Sequence, residues 1–362
     1  VGNKIVFLGD SITCGSNDNA NNAQGISWPL MAMLRSGGRV LMARNAGVAG
    51  NTSAQMLARF DSDVTPYAPS AVVLMAGTND IGNSVTFATY QSNILAILQK
   101  IRSIGATPIL CTIPCNDDVA TRQPRISVWN QWLRRLALSE GAAIFDAYAV
   151  LVDPTNGHYL ASYYSDGTHP NFAGCLALGQ AFADQMTPFL PKWTPPLPLD
   201  NGDNSGLLST NPILLTDTNA DGIPDGWIAY GGTSGFAHAL VTDASVPGKM
   251  MQITQTANAS IRALERAIAS ANLAVGDKLA VLGIIKSDGG VDAQAQVKFV
   301  GPNLTSKPCY LNVFATSGFF YQELTVPAGT TQINVDCIAG AGTGVVAFGQ
   351  IQVYNLTAMG LA

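Results

Sequence analysis

The chain has 362 residues, 47% of them hydrophobic and only 12% charged, with 36 glycines and a formal net charge of −5. That length admits two ordinary domains, each with its own core. Residues 1–192 balance twelve basic against twelve acidic side chains, while residues 193–362 hold seven against twelve; no basic patch gathers phosphates, so neither nucleic acid nor an anionic membrane surface is an expected partner.

In chain order, residues 4–8 form a short apolar strand that ends at Gly9-Asp10-Ser11. Residues 28–34 read as helix. Residues 39–44 read as a second strand, closed by Asn45-Ala46-Gly47-Val48-Ala49-Gly50, and residues 52–60 as helix. Residues 71–75 are a fully apolar strand stopping at Gly77-Thr78-Asn79-Asp80. Residues 87–104 carry Ile94, Leu95, Ile97, Leu98 and Ile101 at helical spacing. A strand over 108–112, a helix over 128–139, a strand over 142–145 and a helix over 171–186 complete the pattern, with Pro170 near the last helix's first turn. The strands are continuous apolar runs alternating with helices, as in a parallel sheet covered on both faces. Ligands of such sheets bind beyond the carboxyl ends of the strands. Three polar loops, 9–11, 47–50 and 77–80, therefore converge on one rim.

The texture changes after residue 190. Pro188, Pro191, Pro195, Pro196 and Pro198 precede Asp200-Asn201-Gly202-Asp203-Asn204-Ser205-Gly206. Residues 191–206 read as a linker, first semi-rigid and then flexible. Beyond it, segments rich in Val, Ile, Thr and aromatics alternate with Gly/Asp/Asn turns at 278–286, 293–300, 309–315, 319–326 and 344–354. This is the pattern of an all-β sandwich. Residues 261–271 have helical propensity, but a strand suits their surroundings. Domains of 1–190 and 207–362 follow.

No apolar run approaches the ~18–20 residues needed to span a bilayer. The weakly charged, Asn/Thr/Ser/Gly-rich surface suits a secreted, extracellular or virion-associated protein. The start at Val1, three residues before a strand, suits a processed or trimmed product. Cys14, Cys111, Cys115, Cys175, Cys309 and Cys337 show no zinc-finger spacing. Cys309 and Cys337 either pair with each other or remain buried thiols.

A serine hydroxyl becomes a nucleophile only when an oriented base takes its proton and donors await the oxyanion. The chain has three histidines, His158, His169 and His238. His238 lies in the β region and His158 in an ordinary loop. His169 stands in Asp166-Gly167-Thr168-His169-Pro170 just before a helix. An Asp three residues ahead of a His, across a Gly turn, can fold back onto the ring N–H. Ser11 closes the first strand, where its hydroxyl meets the rim. The G-x-S-x-G elbow of α/β-hydrolases is absent.

Together, Gly9-Asp10-Ser11, Gly50 within 45–52, Asn79 in Gly77-Thr78-Asn79-Asp80, and Asp166-Gly167-Thr168-His169-Pro170 resemble the four blocks of the SGNH (GDSL) hydrolase family, in the family's order. Trp28-Pro29 also resembles the family's first helix. The resemblance covers about residues 1–190. It implies a three-layer, flavodoxin-like α/β domain and a serine esterase that needs no cofactor. It further implies Ser11 as nucleophile, His169 as general base and acid, and Asp166 as its orienting partner. The N–H groups of Ser11 and Gly50 and the amide of Asn79 would form the oxyanion hole. Asp10 and Asp80 are read as braces of the rim.

Asn211-Pro212-Ile213, the run from Asp217 to Trp227, Leu273 to Lys278, and a closing strand ending at Asn355 resemble jelly-roll carbohydrate-binding modules over about residues 207–357. Asp217, Asn219, Asp221 and Asp225 have the spacing of calcium-loop ligands, although Ile228 stands where the bidentate acid belongs. A structural calcium is one reading, and a polar turn holding Trp227 in the core is the other. Phe319-Phe320-Tyr321 is read as a candidate sugar-stacking face or as half core and half surface. The expected activity is hydrolysis of short acyl esters, O-acetyl above all, on a polysaccharide or a small ester. Its rivals are a lipolytic or aryl esterase with a structural β domain, and a glycan-binding protein with a degenerate hydrolase domain.

Overall fold

The computed structural model describes residues 3–15, 26–186, 188–190, 197–203, 205–208, 210–230, 235–256, 262–269, 273–302, 304–313 and 316–361. The chain divides into two compact units near residue 193. Each is described separately.

The first unit is built on five parallel strands: β1 (Lys4–Gly9), β2 (Leu41–Gly47), β3 (Ala71–Leu74), β4 (Thr107–Cys111) and β5 (Ala143–Phe145). Their order is β2-β1-β3-β4-β5. Every residue of β1 and β3 is buried, which is why these strands read as unbroken apolar runs. The connecting helices are α1 (Ser11–Cys14), α2 (Trp28–Arg35), α3 (Ser53–Ala58), α4 (Phe60–Asp63), α5 (Thr78–Gly82), α6 (Phe87–Ser103), α7 (Arg122–Glu140), α8 (Ala147–Leu151) and α9 (Phe172–Met186). On one face of the sheet Val6, Leu8, Val72 and Leu74 pack with Tyr90, Ile94 and Leu98 of α6 and Trp129 and Leu133 of α7. On the other, Phe7, Trp28, Phe145 and Phe182 form one aromatic cluster, with ring centroids 5.2–5.7 Å apart.

This strand order has a consequence for function. The chain passes from β1 to β2 on one side and from β3 to β4 on the other, so a crevice opens beyond the carboxyl ends of β1 and β3. Ser11 follows β1 directly, and Asn79 lies in the turn that follows β3.

Helix α7 begins at Arg122, six residues before the start expected from the sequence. Pro124 lies in its first turn, where a missing N–H costs no intrahelical bond. The turn α1 and the break between α3 and α4 leave no periodic signal in the sequence, because each spans one turn or little more.

The second unit contains two five-stranded sheets whose paired strands are all antiparallel, a β-sandwich. One sheet holds β13 (Ser317–Thr325), β10 (Lys278–Ser287), β15 (Gly344–Asn355), β8 (Lys249–Gln255) and β7 (Phe236–Thr242), in that order. The other holds β12 (Leu304–Val313), β11 (Val291–Gly301), β14 (Gln332–Gly342), β9 (Arg262–Ala269) and β6 (Ile228–Tyr230). The ambiguous segment 261–271 is thus a strand over its described residues. Part of the expected linker is bound to this unit: Gln350 donates to the Pro198 carbonyl at 2.7 Å, and Ile213 N–H to Asn201 Oδ1 at 3.3 Å. Residues 191–196 lie outside the described residues.

Two sequence expectations are corrected here. Phe319, Phe320 and Tyr321 are 6%, 1% and 1% exposed, opposite Ile284, Gly283 and Leu282 of β10, so the run is core and offers no stacking face. Cys337 is a buried free thiol, which removes the Cys309–Cys337 pairing; the Cys309 side chain lies outside the described ones. Cys14, Cys111, Cys115 and Cys175 are likewise free and buried. Among the described residues no helix is long and apolar enough to cross a membrane.

Phe182 touches three other aromatic rings, so Phe182→Ala should lower the first unit's stability by about 3–5 kcal/mol. Urea unfolding followed by tryptophan fluorescence checks this.

Candidate active site

Ser11 opens α1, and Asp10 caps that turn by accepting the Ile12 N–H at 3.0 Å. A first-turn N–H has no intrahelical acceptor, so the Ser11 N–H is left for another partner. Gly47 makes room for the turn: a Cβ there would stand 2.2 Å from the Cys14 nitrogen. Ser11 Oγ lies 2.8 Å from His169 Nε2, across 158 positions of chain.

The loop carrying His169 is held by its own aspartate. Asp166 Oδ1 accepts the N–H groups of Thr168 (3.0 Å) and His169 (2.8 Å), a turn that needs the left-handed φ of +79° at Gly167. Oδ2 is then free to meet His169 Nδ1 at 2.7 Å. Burial tends to raise the Asp166 pKa, but the hydrogen bonds from the His169 N–H and ring and the Thr168 N–H outweigh it and hold the carboxyl below its ordinary range. An ionised carboxylate on Nδ1 makes that nitrogen the protonated one. Nε2 is left as acceptor for the serine hydroxyl. Neighbouring groups anchor the loop: Asn116 donates to Thr168 Oγ1 at 2.9 Å and Asp117 N–H to the Gly167 carbonyl at 2.9 Å.

Gly50 and Asn79 stand at the same rim. The Gly50 loop is drawn to the end of β1 by Val48 N–H on the Gly9 carbonyl, at 3.1 Å. Arg59, which the sequence analysis passed over, reinforces this. Its guanidinium donates to the Gly9 carbonyl at 2.8 Å, to Asn51 Oδ1 at 2.7 Å and to Asp63. A lone arginine at the break between two short helices carries no signal that would have marked it. Asn79 Nδ2 donates to the Asn51 carbonyl at 3.1 Å and to Asp10 Oδ2 at 3.3 Å, so the amide is oriented by two acceptors. Asp80 accepts from Ser53 twice, at 2.9 Å from N–H and 2.5 Å from the hydroxyl, and so ties α5 to α3.

Beside Ser11 lies a cavity of about 350 Å³ whose apolar wall includes Ile12, Ile26, Pro170, Phe172 and Cys175. Burial pushes the Cys175 thiol up to about 12, so it stays neutral and offers no competing thiolate.

The four candidate calcium ligands hydrogen-bond within their own loop. Asp217 accepts the N–H groups of Asp221 and Gly222, and Asp225 accepts from Thr218 N–H and hydroxyl. Asp221 accepts from Ile223 N–H and the Asn219 amide. Among the described residues no group of three or more His, Cys, Asp or Glu is placed to hold a metal ion. Trp227, which follows the loop, is 6% exposed.

The model of the GDSL-like Lipase/Acylhydrolase family matches residues 7–176. The acetylxylan esterase of Geobacillus stearothermophilus is 25% identical over 210 residues, 51% of this chain and 94% of the relative. Esterase TesA of Pseudomonas aeruginosa is 28% identical over 169 residues, 47% of this chain and 80% of the relative. Among solved structures, the lipase/acylhydrolase from Enterococcus faecalis superposes with a TM-score of 0.43 at 26% identity, covering 53% of this chain and all of that one.

Asp10 generates a pH-dependent expectation. Burial, the largest effect, raises its pKa from 3.8 to about 6, with Asp80 adding to the rise while the Ile12 N–H and His169 oppose it. The folded state therefore favours the protonated carboxyl. Its stabilisation is complete below the unfolded pKa and is lost as pH rises through about 6. Asp10→Asn should remove about 2 kcal/mol of the stability change between pH 4 and pH 7. Parallel urea titrations of wild type and variant across that window measure it.

Proposed function

The chain belongs, over residues 7–176, to the GDSL-like lipase/acylhydrolase family, and on that footing we propose that it is a serine esterase removing short acyl groups, O-acetyl above all, from a polysaccharide. The observation that carries this reading is the chain of hydrogen bonds from Ser11 through His169 to Asp166 at the edge of an apolar cavity. Ser11 Oγ attacks the ester carbonyl while its proton passes to His169 Nε2. Asp166, ionised, stabilises the imidazolium that forms. The oxyanion meets the N–H groups of Ser11 and Gly50 and the Asn79 amide. To donate there, Asn79 gives up its longer contact, the 3.3 Å one to Asp10. The imidazolium then protonates the departing alkoxide, leaving an acyl-enzyme. A water activated by the same His169 releases the acid. No step draws on a cofactor.

Two facts favour a carbohydrate as the alcohol half. One of the similar proteins is named an acetylxylan esterase. The second unit is a β-sandwich whose turns resemble those of carbohydrate-binding modules. The apolar cavity wall supports the lipolytic alternative, which chain-length preference decides. Faster turnover of octanoate than of acetate esters would favour that alternative.

Ser11→Ala should abolish hydrolysis of p-nitrophenyl acetate while keeping the wild-type unfolding midpoint; near-wild-type turnover would remove Ser11 from the mechanism. Asp166→Asn should lower kcat by roughly 10⁴-fold. Asn79→Ala should lower it by roughly 10²–10³-fold, the loss of one oxyanion donor. Steady-state kinetics on the same ester reads all three.

A further inference from the structure

The loop over residues 164–172 borders two cavities. Ser165, His169 and Pro170 face the apolar one beside Ser11. Tyr164, Asp166, Gly167 and Thr168 face a second, open cavity of about 450 Å³, completed by residues 116–118 and Arg122. One imidazole ring and two hydrogen bonds separate its Asp166 wall from the Ser11 hydroxyl.

The second cavity differs in chemistry from the first. Its wall is set in advance by bonds among its own members. Tyr164 donates to Asp117 Oδ2 at 3.2 Å, and Asn116 holds Thr168. Asp118 caps the turn at Thr121. Arg122 is the exception. It is half-buried at the start of α7, beside Gly82. Its charge acts on Asp118, but no side-chain hydrogen bond occupies its guanidinium among the described residues. A fork of five N–H donors at that wall can serve a ligand that brings oxygen atoms.

From this we infer that the second cavity binds the alcohol half of the ester and selects a neutral, hydroxyl-rich sugar ring, with Arg122 donating to its hydroxyls and Asp117 accepting from them. The inference rests on the serine-esterase reading above. An ester bound at Ser11 has two arms. The apolar cavity suits the acyl arm, and the alcohol arm then runs along the rim towards the other side of the loop. Charge narrows the ligand further. Asp117, Asp118 and Asp166 outnumber the one guanidinium, so a carboxylate-bearing sugar meets net repulsion while hydroxyls find both donors and acceptors. The Tyr164 ring, 4.9 Å from that of Tyr159, adds an apolar surface for the C–H face of a pyranose.

The test compares two esters with the same acyl group: p-nitrophenyl acetate, whose alcohol bears no hydroxyls, and a mono-O-acetylated neutral oligosaccharide. In both Arg122→Gln and Asp117→Asn, the ratio of kcat/KM for the oligosaccharide over the phenyl ester should fall about tenfold, through KM, as expected for losing a hydrogen bond to a charged group. Parallel loss on both esters, or an unmoved ratio in both variants, overturns the subsite. A wild-type preference for an acetylated uronic acid overturns the choice of a neutral sugar. Wild-type enzyme inactive on either ester would instead sink the esterase reading, and the inference with it.

Discussion

The 2.8 Å contact between Ser11 and His169 joins positions 158 residues apart, and the order of the strands makes it possible. Because β1 lies between β2 and β3, the chain turns to one side after β1 and to the other after β3, and a crevice opens between their carboxyl ends. The turn after the first strand carries a serine there. The loop before the last helix of the unit brings a histidine beside it. Neither group has catalytic reach alone. The sheet supplies the proximity, and the Asp166 turn supplies the orientation of the imidazole.

Beneath that contact lies a polar layer that keeps the rim in register. Asp10 bonds the turn at Ser11 and the Asn79 amide, while Arg59 joins the end of β1 to Asn51. Every loop of the site is thus bonded to another one. The arrangement buries a carboxyl whose pKa is raised to about 6, and such a group favours its charged form less than its exposed neighbours do.

The two cavities flanking the histidine loop differ in polarity. One is walled by isoleucines, proline and phenylalanine, and the other by amides, carboxylates, a tyrosine and an arginine. The β-sandwich contributes a separate core, with Phe319, Phe320 and Tyr321 inside it. Its Asp217–Asp225 turn spends its carboxylates on backbone N–H groups.

The sequence by itself determined the α/β alternation, the β texture that follows it, and the four loops carrying Ser11, Gly50, Asn79 and Asp166–His169. Each rests on local chemistry: unbroken apolar runs, a Gly turn that an Asp folds across, and polar residues placed where strands stop. Strand order, the start of α7 at Arg122, the bracing by Arg59 and the partnering of Asn79 were decided only in three dimensions. So was the fate of the aromatic run, because the six residues from 319 to 324 alternate too little to tell core from surface. Distances between residues far apart in sequence depend on how elements pack, and packing is a property of the whole chain that no local pattern encodes.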